Sequence, residues 1–231
     1  MAFQSTVYTE LPLGVVGELV VGAPIRSKTY VLNSSDASYN VFGRAFTSSA
    51  DGVAVAGGTG AFAGIMIKPK AVVSYGTTAG GPLAPTLTAA NALPVEMMTM
   101  GEVYVSLPAA CAVGDFISYS TTTGALATVK AVGTATYAQS TTTLTVSAVS
   151  TGVFLGVGSV VQTSAGPTTI IALGTGTGGA GTYTVDTSRT VSSETKAVSS
   201  VPASGYALVP NAKVSRKALT GAGVGSIELT N

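Results

Sequence analysis

Carboxylates are the side chains of this sequence that come closest to a catalytic set. Among the ten acids, Glu96 and Glu102 stand an even number of residues apart in one strand-forming stretch. Sugar hydrolysis needs two carboxyl groups that face each other across the bond to be broken, and only the fold can bring that about. We interpret the acids as solvated or hydrogen-bonded residues of turns and strands, and we expect no catalytic residue among them. They are Glu10, Glu18, Asp36, Asp51, Glu96, Glu102, Asp115, Asp186, Glu194 and Glu228.

The chain contains no histidine, and this excludes several kinds of reactive site. Ser-His-Asp and Cys-His systems need an imidazole base, and the common zinc sites need His or several Cys. The single cysteine, Cys111, lies in an alanine-rich stretch, so we predict a buried apolar side chain. Asp36 and Asp51 lie in loops that lack the D-x-D-x-D-G pattern of a calcium site. We therefore expect no metal site.

A glycine-rich run at residues 174–179, G-T-G-T-G-G, matches the G-x-G-x-x-G pattern of dinucleotide-binding loops. Such a loop must be followed by a helix, because the helix N-terminus holds the pyrophosphate. The following residues, T-Y-T-V-D at 182–186, favour a strand. We interpret the glycines as a β-turn and expect no cofactor-binding residue.

Charge is scarce in this chain. Only 9% of the residues are charged, and the eleven basic and ten acidic side chains give a net charge of +1. Nucleic-acid binding depends on clustered Lys and Arg that neutralise phosphates, and the only local group here is Lys213, Arg216 and Lys217. We expect no nucleic-acid partner. A surface so poor in charge must be covered by Thr, Ser, Asn and Gly, or lie against partners.

Hydropathy gives no sign of a membrane segment. No stretch of about 18 residues is apolar and free of charges and turn breakers. The nearest candidate, residues 11–25, contains Glu18, Pro12 and Pro24. The first ten residues, M-A-F-Q-S-T-V-Y-T-E, lack the basic and apolar regions of a signal peptide. We expect synthesis in a cytoplasm and no membrane partner.

The elements that must position these side chains have the pattern of β-strands. Short β-rich stretches alternate with Gly- and Pro-containing turns, and the one helix candidate, residues 88–93, is short. This spacing predicts an all-β fold, a sandwich or a barrel. The predicted strands are 3–9, 15–21, 30–32, 39–47, 61–68 with a partner at 71–75, 94–107 as one long strand or as two with a bend at Gly101, 141–149, 153–161, 168–173, a segment that begins with 182–186, and 225–230.

Residues 113–129, V-G-D-F-I-S-Y-S-T-T-T-G-A-L-A-T-V, predict a hairpin followed by a domain junction. Gly114 and Asp115 favour a turn, the F-I-S-Y stretch favours a strand, and residues 121–124 favour a second turn. The composition then changes to Thr, Gly, Ser and Val until about Val201. We predict a discontinuous base domain, residues 1–132 and 201–231. It carries an inserted small all-β domain, residues 133–200.

Five stretches of the base also carry a family resemblance. They are F-Q-S-T-V-Y-T-E-L-P-L-G-V-V-G-E-L from Phe3, Y-V-L-N-S-S-D-A-S-Y-N-V-F-G-R-A-F-T from Tyr30, G-G-T-G-A-F-A-G-I-M-I-K-P-K from Gly57, M-G-E-V-Y-V-S-L-P-A-A-C-A-V-G-D-F-I-S-Y-S-T-T-T-G-A-L from Met100 and V-P-N-A-K-V-S-R from Val209. Over residues 1–130 and 201–231 the chain resembles the capsid cement, or decoration, proteins of tailed bacteriophages. The stretch L-G-T-G-T-G-G-A-G-T-Y-T-V-D-T-S-R-T-V-S-S from Leu173 resembles a Gly/Thr module found in phage virion proteins.

The resemblance implies a structural virion protein on the outside of the head. Its partner would be the major capsid protein, whose lattice it would hold against the pressure of the packaged DNA. Self-association is expected, and a homotrimer is plausible by analogy with other decoration proteins. The scarcity of charge suits large contacts, since charged residues are depleted at interface cores. The N-terminal residues 2–13 could add a strand to a capsid sheet edge.

Two other functions are open to the same sequence. A tail, fibre or host-adhesion component would use the Gly/Thr insert as a receptor-facing domain. A carbohydrate-active enzyme would use Glu96 and Glu102 as its carboxylates.

Overall fold

The computed structural model of this protein describes residues 14–20, 22, 24–68, 88–130 and 132–230. Within them the regular elements are strands, apart from one turn of 3-10 helix at Ala37–Tyr39, so the predicted all-β class is confirmed. The strands are β1 (Arg26–Leu32), β2 (Ala45–Ala50), β3 (Val53–Ala56), β4 (Ala61–Met66), β5 (Pro94–Leu107), β6 (Phe116–Ser120), β7 (Leu126–Val129), β8 (Val132–Val149), β9 (Val160–Thr163), β10 (Gly166–Leu173), β11 (Gly181–Ser199), β12 (Tyr206–Val214) and β13 (Gly223–Leu229). The strands predicted at 3–9 and 71–75 lie outside the described residues.

Five strands close into a barrel. Their order is β1-β3-β2-β4-β5, and β1 pairs with β5 to complete the ring. Small and large apolar residues fill the inside, where Leu32, Phe46, Met66 and Met97 are fully buried. Burial of such side chains away from water is the main force that holds a closed sheet of this size.

A second sheet also contains the long strand β5. β5 continues past Gly101, which has φ +129, and its C-terminal half pairs with β13 from Leu107↔Gly223 to Gly101↔Leu229. The order then runs β5-β13-β12-β6-β7. Val103, Val105 and Ile227 belong to the buried cluster of this part of the molecule. β5 is therefore shared between the barrel and the second sheet.

The hairpin predicted at residues 113–129 is confirmed as β6 and β7, which pair from Phe116↔Val129 to Tyr119↔Leu126. Its tip is bonded to the barrel. Ala45 N donates to Gly124 O at 2.9 Å, and Gly58 N donates to Thr121 O at 2.7 Å.

The third sheet lies between β7 and β12 in the chain, and its order is β10-β9-β11-β8 with β10 also paired to β11. β8 turns back on itself at Thr141, where φ is +57. Ser147 Oγ donates to Thr136 O at 3.1 Å, and Ser150 N donates to Thr134 O at 2.9 Å. This sheet encloses its own buried cluster of Ala135, Tyr137, Leu144, Val146, Val153, Leu155, Val161, Ile170, Tyr183, Val185 and Val198.

Several predicted elements were wrong, each for a local reason. Residues 15–20 form a turn, with one bridge from Leu19 to Val103, because Gly17 takes φ +84. Residues 88–93, a stretch judged too short for a helix, are indeed not helical and contain a turn in which Ala92 has φ +65. Asp36 caps the turn at Ala37–Tyr39, so the strand predicted at 39–47 begins only at Ala45.

Strand lengths in the third sheet were also mispredicted. The stretch predicted at 153–161 is strand only from Val160, and β8 is far longer than 141–149. Residues 182–186 do begin a strand, as predicted, and β11 continues from them to Ser199. In β11 the register shifts between Thr184 and Arg189 and again between Val191 and Glu194. These irregularities interrupt the alternation of apolar and polar residues, which is the signal that predicts a strand.

Candidate functional site

The two carboxylates singled out from the sequence do not form a facing pair. Both lie on β5, but Glu96 is exposed and Glu102 is buried. Six residues of extended chain separate them by about 20 Å. Glycosidases place their two carboxyl groups within about 5–9.5 Å of each other.

The carboxylate of Glu102 accepts hydrogen bonds from two neighbouring residues. Its two carboxylate oxygens accept from Arg216 Nε at 2.7 and 2.8 Å, and Oε1 also accepts from Ser215 Oγ at 2.6 Å. Ser215 Oγ lies 2.9 Å from Ser226 Oγ. Burial acts to raise the pKa of Glu102, but the hydrogen bonds and positive charge of Arg216 and the hydrogen bond from Ser215 outweigh it. The pKa is therefore lowered. This polar cluster joins β5, β13 and the end of β12.

Asp36, Asp115 and Asp186 also take part in local hydrogen bonds. Asp36 Oδ1 accepts from Ser38 N at 2.8 Å, and Asp115 Oδ2 accepts from Ala112 N at 2.8 Å. Asp186 Oδ1 accepts from Thr169 N and Thr168 Oγ1, both at 2.9 Å, and the backbone hydrogen bond from Thr169 is the main reason that its pKa falls to about 2. Each of these carboxylates stabilises a turn or a strand pair.

Two residues of the basic group near the C-terminus, Lys213 and Arg216, also contact other residues of the chain. Lys213 Nζ lies 5.5 Å from the centroid of the Phe116 ring, which is a cation–π contact, and Arg216 bonds Glu102. Lys213 and Arg216 therefore contact the protein itself.

Cys111 is buried, as predicted, and burial raises the pKa of its thiol. Its backbone pairs with Leu219. A thiol with a raised pKa is a weak nucleophile at neutral pH.

The glycine-rich run leads into β11 and not into a helix. Its backbone bonds the ring hydroxyl of Tyr183, which donates to Gly179 O at 2.7 Å and accepts from Gly178 N at 3.2 Å. The run is a loop of bends between β10 and β11, and a strand follows it, as predicted. Across the part of the chain that the structure describes, no group of three or more His, Cys, Asp or Glu side chains could hold a metal ion. Within that same part, no helix is long and apolar enough to cross a membrane.

Exposed apolar side chains are the remaining candidate features of the described surface. Ile25, Val31 and Leu93 lie around β1, and Tyr206 and Leu208 lie on β12. A further group on the third sheet and its loops consists of Phe154, Val157, Ile171 and Leu173. Burial of such residues against a partner is the physical basis of protein–protein contacts. The candidate sites of this protein are therefore contact surfaces.

The sequence did not predict two features of the structure, the polar cluster around Glu102 and the exposed strand β1. The bonds among Glu102, Ser215 and Ser226 join residues distant in the chain, and no local pattern predicts them. The exposed strand β1 does carry a local signal, because R-S-K-T after Pro24 is a polar run in a β-rich sequence.

Comparison with known proteins supplies the biological context. The model of a family described as structural cement protein (E217 gp24/Pam3 gp6) matches residues 3–174. The match takes in the barrel, β5, the β6–β7 hairpin and the third sheet up to the end of β10. It is continuous across residues 132 and 133, whereas the resemblance seen in the sequence was placed on residues 1–130 and 201–231. No curated protein matches the chain.

Proposed function

Since the chain belongs to the structural cement proteins of phages, we propose that it binds the outer surface of the phage head and stabilises the lattice of the major capsid protein. The family match over residues 3–174 is the observation that carries this proposal. The protein acts by adding contacts between capsid subunits, so it needs surfaces and not reactive groups.

The described surface supports this role. Glu102, Asp115 and Asp186 are engaged in bonds within the chain, and Lys213 and Arg216 likewise contact other residues of it. Apolar side chains meanwhile lie exposed on β1, β10 and β12. A surface of this kind suits broad contacts of neutral polar and apolar groups, as in interfaces that bury more than about 1,000 Å².

The domain division enters the proposal as well. We assign residues 1–132 and 201–231 to a base that binds the capsid, and residues 133–200 to an inserted domain. Val132 and Ser199 are paired Cα partners, so the two ends of the insert lie side by side. The insert has a buried cluster of its own, built from residues 135–198. Because its ends are adjacent and its buried cluster is its own, the insert could be removed and the base could still fold.

Self-association belongs to the proposal, with a trimer as the arrangement suggested by other decoration proteins. Analytical ultracentrifugation of the purified chain measures this directly. A monomer at all concentrations tested would remove this part and leave head binding intact.

The test of the function is a reconstitution. Heads assembled without this protein are mixed with the purified chain, and the particles are imaged and their copy number is counted. We expect the protein on the outer head surface at a copy number comparable to that of the major capsid protein. We also expect bound heads to withstand a higher temperature before they release DNA. Binding to tails only, or a few copies per particle, would overturn the proposal.

A host-adhesion role is the second candidate, and the exposed residues Phe154, Ile171 and Leu173 around the third sheet favour it. An adhesion component must compete with the phage for its receptor. The purified chain would then block phage adsorption to host cells, whereas a cement protein would not.

A further inference from the structure

Four exposed apolar side chains of the insert lie on two neighbouring segments. Phe154 and Val157 are in the loop before β9, and Ile171 and Leu173 are on β10. These side chains are 39%, 61%, 52% and 52% exposed, in that order. We call the four residues the insert patch.

Backbone hydrogen bonds hold the two segments together. Gly158 N donates to Ile170 O at 2.8 Å, and Ile170 N donates to Ser159 O at 2.9 Å. The loop that carries Val157 therefore runs beside β10 at the position of Ile171. Two exposed β-branched side chains are neighbours there.

Phe154 lies against the loop that follows β10. Leu155 N donates to Gly178 O at 2.9 Å, and a Cβ added at Gly178 would lie 3.4 Å from Phe154 Cδ1. Ile171 and Leu173 are two positions apart at the end of the strand that leads into this loop. The insert patch therefore occupies one region of the surface, at the C-terminal end of β10.

The segments that form the insert patch contain no charged residue. None of the residues 131–185 is Asp, Glu, Lys, Arg or His, although charged residues make up 9% of the whole chain. Asp186, Arg189 and Glu194 bond residues 163–169, which are the first half of β10 and the turn before it. The patch lies beyond these contacts, at the other end of the strand.

The two other groups of exposed apolar residues have charged residues on the same strands. Val31 shares β1 with Lys28, and Leu208 shares β12 with Lys213. Of the three groups, the insert patch is the one whose segments are free of charge. This difference bears on the kind of partner that each group fits.

An uncharged patch suits contact with a second copy of the same chain. In a symmetric contact, each residue near the axis comes close to its own equivalent in the other copy. A charged residue there would meet a like charge, which is destabilising, whereas an apolar residue meets an apolar residue. The patch offers nothing for a charged partner to pair with.

The size of the insert patch indicates that this contact is weak in solution. A stable and specific interface buries about 800 Å² on each partner, which is more than four half-exposed side chains provide. Copies fixed at neighbouring sites of one shell are held at a high effective concentration, and a weak contact between them then forms readily. The contact would link copies to one another across the shell.

We propose that the insert patch binds the insert patch of a second copy of this chain. Neighbouring copies meet around a symmetry axis and bury Phe154, Val157, Ile171 and Leu173 against each other. This inference rests on the proposed function, because it identifies the surface used in the proposed self-association. The base remains the part that binds the capsid.

Sedimentation velocity of the full chain over a range of concentrations tests the contact. Leu173→Lys places like charges on the two sides of the axis, and we expect self-association to weaken at least tenfold, most strongly at low salt. Val157→Lys, a change in the loop, should have the same effect. Leu208→Lys is the matched control, because Leu208 is 48% exposed on β12, and this variant should associate as the wild type does.

A mixing experiment tests whether the patch meets its own equivalent. Leu173→Lys and Leu173→Glu should each associate at least tenfold more weakly than the wild type. An equal mixture of the two should associate more tightly than either variant alone, because opposite charges then face each other. A mixture that is no tighter than the separate variants would overturn the inference.

The outcomes separate this inference from the proposed function. The Leu173→Lys chain should bind heads at the wild-type copy number, because the base holds the capsid. If the wild type binds heads but remains monomeric in solution, or if Leu173→Lys self-associates as tightly as the wild type while circular dichroism shows the same fold, the inference alone is wrong. If the wild type does not bind heads, the proposed function fails, and sedimentation still decides the inference.

Two further results would assign the insert patch to another partner. A Leu173→Lys variant that self-associates normally but no longer binds heads would assign it to the capsid. A wild-type chain that blocks phage adsorption, with the block lost in Leu173→Lys and self-association unchanged, would assign it to a host receptor. Either result would contradict the inference.

Discussion

Both carboxylate oxygens of Glu102 lie within 2.8 Å of Arg216 Nε, although the two residues are 114 positions apart in the chain. Glu102 is on β5 and Arg216 follows β12, so the pair fixes the end of β12 against the strand that the barrel and the second sheet share. Four testable predictions follow from this and other contacts.

The folded protein should become less stable as the pH falls from about 5 to about 2. Glu102 and Asp186 have lower pKa values folded than unfolded, so the folded chain binds fewer protons there. Their contribution is complete above the ordinary pKa values of 4.5 and 3.8 and disappears as the pH falls through the folded values, about 2 for Asp186. We expect the unfolding temperature, measured by calorimetry, to fall between about pH 5 and pH 2.

The variant Asp186→Asn is the control for that range. It removes one of the two carboxylates, so its unfolding temperature should depend less steeply on pH than that of the wild type. A wild-type unfolding temperature that stays constant or rises between pH 5 and pH 2 would contradict the prediction.

Gly57→Ala should be strongly destabilising. Gly57 has φ +65, and an added Cβ would lie 2.7 Å from Ser120 O and 2.8 Å from Thr121 O, which are backbone atoms of the docked hairpin. We expect a loss of about 3 kcal/mol in the free energy of unfolding, measured with denaturant.

Gly52→Ala is its matched control. Gly52 also has a positive φ, +72, but an added Cβ would have no atom within 4 Å. This variant should lose only about 1 kcal/mol, from backbone strain alone. Equal losses in the two variants would show that the hairpin tip does not pack tightly on the barrel.

A cavity made in the inserted domain and a cavity made in the base should lower the unfolding temperatures of two different transitions. Leu144 and Leu107 are each fully buried, one in the third sheet and one in the second. Replacement of either by Ala should cost about 2–5 kcal/mol. We expect Leu144→Ala to lower only the transition of residues 133–200 and Leu107→Ala only that of the base. A single transition that both variants lower equally would contradict the domain division.

Deletion of residues 133–200, with the ends joined by a short linker, should leave a folded base that still binds heads. The reason is that Val132 and Ser199 are adjacent, so the gap to be closed is small. Circular dichroism reports the β-structure, and cosedimentation with heads reports binding. A β-rich base that fails to bind would show that the insert makes essential capsid contacts, and an unfolded base would refute the division itself.

Sequence alone predicted the features that local patterns encode. The β6–β7 hairpin, the long strand β5 and the buried Cys111 each follow from turn residues, alternation or composition over a few positions. β12 was missed because Pro210 and Asn211, the latter at φ +52, interrupt its strand pattern. Ring closure of the barrel and the bonds of Glu102 depend on contacts between distant residues, and a local pattern contains no information about them.

β5 takes part in the barrel through β1 and β4 and in the second sheet through β13. A load applied between these two parts is therefore carried along a continuous polypeptide backbone as well as across the side chains that pack between them. Mechanical separation of the parts requires whole rows of backbone hydrogen bonds to slide at once. For a protein that would hold a pressurised shell together, this gives high tensile strength at the place where two separately folded parts would have been weakest.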